Sequence, residues 1–196
     1  MFFKYININI LKSFTIILVW VSIFTQGFSQ VEDHRHEDGQ SDFQRHRISL
    51  MISHTHIPQA ISYSNGSSGI IVPSWGLNYD FWFTPRWAIG SHNDMEIATY
   101  VIENEHGTEI ERERPLILSI VGIFKPTHHI ELIAGFGREF ENHHNYWVYR
   151  LGIEYEFEIP NHWILSPSLT YDLKENIYNS WTLGLVIGKK FELSNM

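Results

Sequence analysis

The stretch Gly69–Phe83, GIIVPSWGLNYDFWF, decides the fold. Ile71, Trp75, Leu77, Tyr79, Phe81 and Phe83 fall on one set of alternate positions, and Ser74, Gly76, Asn78 and Asp80 on the other. A period of two sends the two sets to opposite faces of a β-strand. The run is also far longer than the ~5–6 residues usual for strands of soluble domains.

The same alternation recurs along the chain. Eight segments carry it, over 47–57, 69–83, 86–101, 114–125, 128–139, 146–159, 162–173 and 180–191. Their connections alternate in kind. The links after the second, fourth and sixth segments are short and contain proline, as Thr84-Pro85, Pro126-Thr127 and Pro160-Asn161. The links after the first, third, fifth and seventh are longer and polar, including IENEHGTEIERE, FENHHN and KENIYN. Short turns on one rim and long loops on the other are the pattern of an up-and-down barrel.

Side-chain volume says which way the bulky face points. An eight-stranded barrel has an interior only just wide enough for side chains. More than a dozen aromatic rings do not fit there, whereas the glycines, serines and charges of the alternate set do. The bulky face therefore points outward, and outward is lipid. Aromatic placement agrees, because Phe83, Trp87, Phe124, Phe157, Trp163 and Phe191 flank the short turns or the chain end, as a girdle at a membrane boundary does. Trp75, Trp147, Tyr149, Tyr171 and Trp181 lie toward the long loops and suit a second girdle. The expected fold class is all-β, an eight-stranded antiparallel up-and-down transmembrane β-barrel.

The first thirty residues, MFFKYININILKSFTIILVWVSIFTQGFSQ, set Lys4 and Lys12 ahead of a short apolar core and small residues, the layout of a cleaved secretory signal. The expected organisation is a signal over 1–29, a flexible tail over 30–45, the barrel over 46–191 and a short extension over 192–196. Cleavage removes two of the 14 Lys and Arg and none of the 22 Asp and Glu, so the formal charge moves from −8 to −10. That balance argues against a nucleic-acid partner. The absence of cysteine excludes disulfides, thiolate catalysis and Cys-bound zinc.

The last segment, Trp181–Phe191, carries Trp181, Leu183, Leu185, Ile187 and Phe191 on one face and Gly184 and Gly188 on the other. Here the chain resembles the small eight-stranded outer-membrane barrels of Gram-negative bacteria, whose final strand typically ends in an aromatic residue read by the barrel-assembly machinery. In this chain five residues follow Phe191, so that aromatic is not terminal. The resemblance implies that the termini, the short turns and the first girdle face the periplasm and that the long loops lie outside.

Chemistry is sparser. Asp80, His92, Asp94, Glu96, Glu131, Glu154 and Glu156 are expected on the inward face, with Arg86, Arg138 and Arg150. Isolated buried ions are costly, so these groups are expected to pair as a polar network that fills the lumen, in preference to lining a cation path. Glu111, Arg112, Glu113 and Arg114 alternate in sign and continue the pairing at the loop rim.

Of the 12 histidines, His54 and His56 are one residue apart at the end of the first segment. An i, i+2 pair on a strand points to one side, so together they offer two metal ligands, with His143 or His144 as candidates to complete the site. If Ile48, Leu50 and Ile52 face lipid, parity puts both histidines on that wall as well. Some outer-membrane barrels of this size modify lipid A with a His and a Ser, and Ser53, Ser62 and Ser64 are close in sequence. No motif carries such residues onto this chain. The expectation is a non-enzymatic monomer without cofactor, whose partners are outer-membrane lipid and the assembly machinery. A lipid A-modifying enzyme and a soluble lipocalin-like ligand-binding barrel are the alternatives.

Overall fold

A computed structural model of the protein describes residues 43–61, 68–103, 109–142, 144–175 and 177–192. The expected signal and most of the expected tail lie outside them. Among the described residues the structure is all β: β1 (His46–Ile61), β2 (Ser68–Thr84), β3 (Trp87–Glu96), β4 (Thr99–Glu103), β5 (Glu109–Glu113), β6 (Leu116–Phe124), β7 (Ile130–Phe140), β8 (Tyr146–Tyr155), β9 (Phe157–Ile159), β10 (Trp163–Lys174) and β11 (Tyr178–Phe191). Eight staves form the wall: β1, β2, β3, β6, β7, the collinear pair β8 and β9, β10 and β11, each antiparallel to its neighbours. The ladder from His46↔Phe191 to His56↔Trp181 joins the last stave to the first, so the sheet has no free edge along the barrel.

Local chemistry makes the short turns. The Thr84 hydroxyl accepts the backbone N–H groups of Arg86 and Trp87 at 3.3 and 3.0 Å, closing the turn between β2 and β3. In the turn before β10, Asn161 and His162 have φ of 65° and 61°, the left-handed pair of a tight hairpin turn, and asparagine adopts this conformation more readily than most residues.

Facing follows the alternation. From Arg47 to Ile57 of β1 the buried positions are Arg47, Ser49, Met51, Ser53, Thr55 and Ile57, while Ile48, Leu50 and Ile52 are exposed. Glycine serves close approaches: a Cβ at Gly135 or Gly137 would run into the backbone of the neighbouring β6, and one at Gly90 into the Asp80 carboxylate. Trp82 is a bulky inward residue near the turns. With Ala88, Val121, Ile123 and Ile133 it forms an apolar cluster at the turn end, against which Phe43 packs. The Arg45 carbonyl accepts the Trp82 N–H at 2.7 Å. The last residues of the expected tail are thus packed against the turn end of the barrel.

The structure departs from the expected segments at the third and fourth. In place of one run over 86–101 and a long loop, β3 ends at Glu96, and β4 and β5 form a hairpin. Its base is held by Ile97 N–H to Pro73 O at 2.8 Å and Arg114 N–H to Ala98 O at 3.0 Å. Its far side pairs Ala60↔Ile102 and Ile61↔Val101. Ile61 also faces Ser68 of β2, so β4 takes the edge of β1 that β11 occupies farther down. The hairpin therefore crosses the loop-side mouth as a roof. Alternation continues through the charged sequence, with Tyr100, Ile102 and Arg112 buried beneath the roof. Tyr100 and Ile102 join Ile57, Ala60, Val72, Tyr146 and Tyr178 in a second apolar cluster at this end.

The closing register predicts that a Leu50→Cys, Ile187→Cys pair, placed directly opposite in the ladder, oxidises to an intramolecular disulfide that shifts gel migration of the unreduced chain. A Leu50→Cys, Leu183→Cys pair, four residues out of register, does not.

Candidate functional site

The interior is organised in three tiers of ion pairs. At the turn end, Arg47 on β1 is 1% exposed and reaches three other staves. Its Nε donates to Asp80 Oδ2 at 2.7 Å, its Nη1 to Glu156 Oε2 at 3.2 Å, and its Nη2 lies 2.9 Å from Glu131 Oε2. Glu154 Oε2 is 4.0 Å away. Two lysines at the rim offset part of the remaining charge, with Lys125 and Lys190 at 2.6 and 2.7 Å from Glu156 Oε1. His92 Nε2 is 3.0 Å from Asp80 Oδ1, on the side of that carboxylate away from Arg47. Trp82 lies beneath, its ring 5.7 Å from the Arg47 guanidinium and 5.5 Å from Lys125 Nζ. Such stacking favours cations held out of water.

In the middle tier, Arg150 donates from Nε and Nη2 to the two oxygens of Asp172, both at 2.8 Å, and pairs through Nη1 with Asp94. A two-pronged guanidinium–carboxylate pair fixes geometry as well as charge. Beside it, hydroxyls link three staves: Ser53 and Ser74 at 2.8 Å, Thr55 and Ser74 at 2.8 Å, and Thr55 and Thr182 at 3.0 Å.

Under the roof, Lys174 Nζ lies 3.2 Å from Glu96 Oε1 and 2.9 Å from Glu139 Oε2. The Tyr178 hydroxyl donates to Glu139, and the Tyr100 hydroxyl to Glu96 Oε2 at 2.5 Å. Arg112 pairs with Glu139, reaches Glu141 Oε2 at 3.2 Å and donates to the His144 carbonyl at 2.8 Å. Burial and the neighbouring Glu96 carboxylate hold the Tyr100 phenol well above the usual tyrosine range, so it stays a donor at neutral pH.

All eight residues expected in the lumen are buried there. Asp80, His92, Glu131, Glu154 and Glu156 gather around Arg47, Asp94 joins Arg150, and Glu96 joins Lys174. Two arginines expected with them are elsewhere. Arg86 is exposed in the turn after β2, and Arg138 is exposed on the outward face of β7 beside the rings of Phe140 and Trp147. Parity explains Arg138: Glu131, Ile133, Gly137 and Glu139 face inward, which leaves position 138 outward.

Two of the cations that organise the tiers, Arg47 and Lys174, are absent from the sequence-based set, as is Glu139. Their signal was the same parity, since Ile48 outward puts Arg47 inward and Asp172 inward puts Lys174 inward as well.

The residues of the expected girdle, Phe83, Trp87, Phe124, Phe157, Trp163 and Phe191, all have outward parity at the turn rim. Trp87 and Phe124 are in ring contact at 4.5 Å, and Phe191 stacks on His46 at 5.4 Å. His54 and His56 are exposed on the outward wall, alternating with buried Ser53 and Thr55. Among the described residues no group of three or more His, Asp or Glu is arranged to hold a metal. His143 lies outside the described residues. Ser53 faces the lumen, on the opposite side of the sheet from both histidines, and Ser62 and Ser64 lie outside the described residues.

No family model matches the chain, and no curated protein matches it. Solved structures of similar architecture include Ail, the attachment invasion locus protein of Yersinia pestis, crystallised with the heparin analogue sucrose octasulfate. It is 13% identical over 74% of this chain and 99% of its own, with a TM-score of 0.48. Neisserial surface protein A is 10% identical over 74% of this chain and 97% of its own, with a TM-score of 0.49. The outer-membrane protein OprG of Pseudomonas aeruginosa is 13% identical over 80% of this chain and all of its own, at 0.47. The barrel described here rests on the chain's own ladder and facing.

Removing one side of the middle tier leaves buried carboxylates without their cation. Arg150→Met is expected to destabilise the barrel by about 3–5 kcal/mol, read as a lower urea midpoint in detergent micelles. Arg150→Lys keeps the charge, loses the two-pronged pairing and falls between the two.

Proposed function

We propose that the protein is an integral outer-membrane β-barrel that neither conducts nor catalyses, and whose role is structural or carried by its loop-side surface. One observation carries this reading: the polarity of the wall is inverted relative to a soluble barrel. Among the described residues thirty large apolar side chains are exposed, in bands around every stave, while Arg47, Lys174 and the carboxylates they bind are buried. Soluble monomers rarely expose contiguous apolar surface beyond a few hundred Å². A hydrocarbon solvent accounts for such a wall, and a closed barrel is one of the two forms that satisfies its backbone there. A lipocalin-like carrier calls for an apolar lining, whereas this interior is lined with paired charges.

Support for a closed lumen comes from its filling. The three tiers cross-link opposite staves, and an apolar cluster stands at each end, one backed by Phe43 and the other by the roof hairpin. A hydrated path would need charges facing water rather than each other. Support for a non-catalytic role is the separation of His54 and His56 from Ser53 across the sheet, since a nucleophile needs its base within hydrogen-bond reach.

The expected behaviour is fractionation with the outer membrane, heat-modifiable migration in detergent gels, unchanged lipid A acylation when the gene is deleted, and no steady openings in planar bilayers. A chain recovered soluble from the periplasm, an altered lipid A profile or large steady conductance contradicts the corresponding part of the reading. The lipid-facing wall is tested by Leu151→Arg in the middle of β8. It is expected to cost about 2–4 kcal/mol of folding free energy in bilayers, the penalty for a cation on the lipid side near the midplane. On a water-exposed wall the same change is close to neutral.

A further inference from the structure

Six basic side chains at the lumen and its rims face carboxylates: Arg47, Arg112, Lys125, Arg150, Lys174 and Lys190. Arg138 does not. It is exposed on the outward wall, two residues before the loop-side end of β7, and makes neither a hydrogen bond nor an ion pair with any described residue. Two rings flank its guanidinium, Trp147 at 5.5 Å and Phe140 at 5.9 Å from the centroids.

The register defines the surroundings. Arg138 lies in one outward row with Leu118 of β6 and Trp147 of β8. The next outward row toward the barrel centre is Ile120, Phe136 and Tyr149, all well exposed. The site thus presents a cation between aromatic rings, with an apolar track beneath it. An unneutralised cation on a lipid-facing wall is tolerated near the interface, where it reaches headgroups, and is costly deeper down. The planar guanidinium fork matches a phosphate better than a point charge does.

We infer that Arg138, between Trp147 and Phe140, binds the phosphate of an anionic lipid in the leaflet at the loop end, with the lipid's acyl chain lying over Ile120, Phe136 and Tyr149. The inference rests on the lipid-facing reading of the outward wall. The lipid supplies the counter-charge that the described residues do not give this arginine, and the rings orient the fork toward the headgroup.

Native mass spectrometry of the full chain in non-ionic detergent, titrated with equal amounts of phosphatidylglycerol and phosphatidylcholine, tests it. Wild type is expected to retain phosphatidylglycerol preferentially, and Arg138→Gln to reduce that preference by about fivefold, the contribution of one basic side chain at an anionic surface. Arg138→Lys is expected to keep part of the preference. Excess inorganic phosphate is expected to leave the wild-type preference intact. Three results overturn the inference: no preference in wild type, a preference unchanged in Arg138→Gln, or displacement of the lipid by inorganic phosphate, which would reassign the site to the free ion. Heat-modifiable migration of each sample separates the two levels. A chain that shows none undermines the lipid-facing reading, whereas a heat-modifiable barrel without headgroup preference undermines only the Arg138 site.

Discussion

The guanidinium of Arg47 is the interaction around which the barrel closes. It stands on the first stave and binds Asp80 on the second, Glu131 on the fifth and Glu156 on the sixth, so it ties the beginning of the chain to its middle through the lumen. Held out of water, it is stable only when all of its neighbours are in place, and the carboxylates are stable only when it is. The ladder between the first and last staves closes the wall around this cluster, and Lys125 and Lys190 complete it from the rim. The interior of an eight-stranded barrel is only just wide enough for side chains, and a Cβ at Gly90 would already run into the Asp80 carboxylate.

The same geometry explains why each end carries an apolar cluster. Water reaching the Arg47 tier from the turn end would meet Trp82 and its neighbours, against which Phe43 packs. From the loop end it would meet Tyr100, Ile102 and Tyr178 under the hairpin, with Arg112 on Glu139 and Tyr100 on Glu96 locking the roof to the wall. Charge pairs gain strength in a low-dielectric surrounding, so these clusters and the tiers stabilise each other.

The wall was legible in the sequence because a strand has only two faces and the volumes on them differ. Gly69–Phe83 alone separates rings from small polar residues, and the proline-containing links mark one rim. The interior was legible in part. The carboxylates stand out as charges on an otherwise small face, but Arg47 and Lys174 sit at segment ends, where only the parity of Ile48 and Asp172 betrays their facing. Arg138 shows the opposite error, in which its charge suggested the lumen although parity placed it outside. The roof was hidden because its alternation runs through a charged stretch. Tyr100, Ile102 and Arg112 are its inward set, and pairing with Ala60 and Ile61 across the mouth is a long-range contact that no local pattern specifies.

A lipid-facing wall around a filled lumen is tested most directly by nitroxide accessibility along β8, using single cysteines from 146 to 155 in a chain that has none of its own. In liposomes, labels at Trp147, Tyr149, Leu151 and Ile153 are expected to collide with oxygen and not with a water-soluble nickel chelate. Labels at Val148, Gly152 and Glu154 are expected to be shielded from both. Chelate access at the first set would deny the lipid contact, and chelate access at the second would deny the filled lumen.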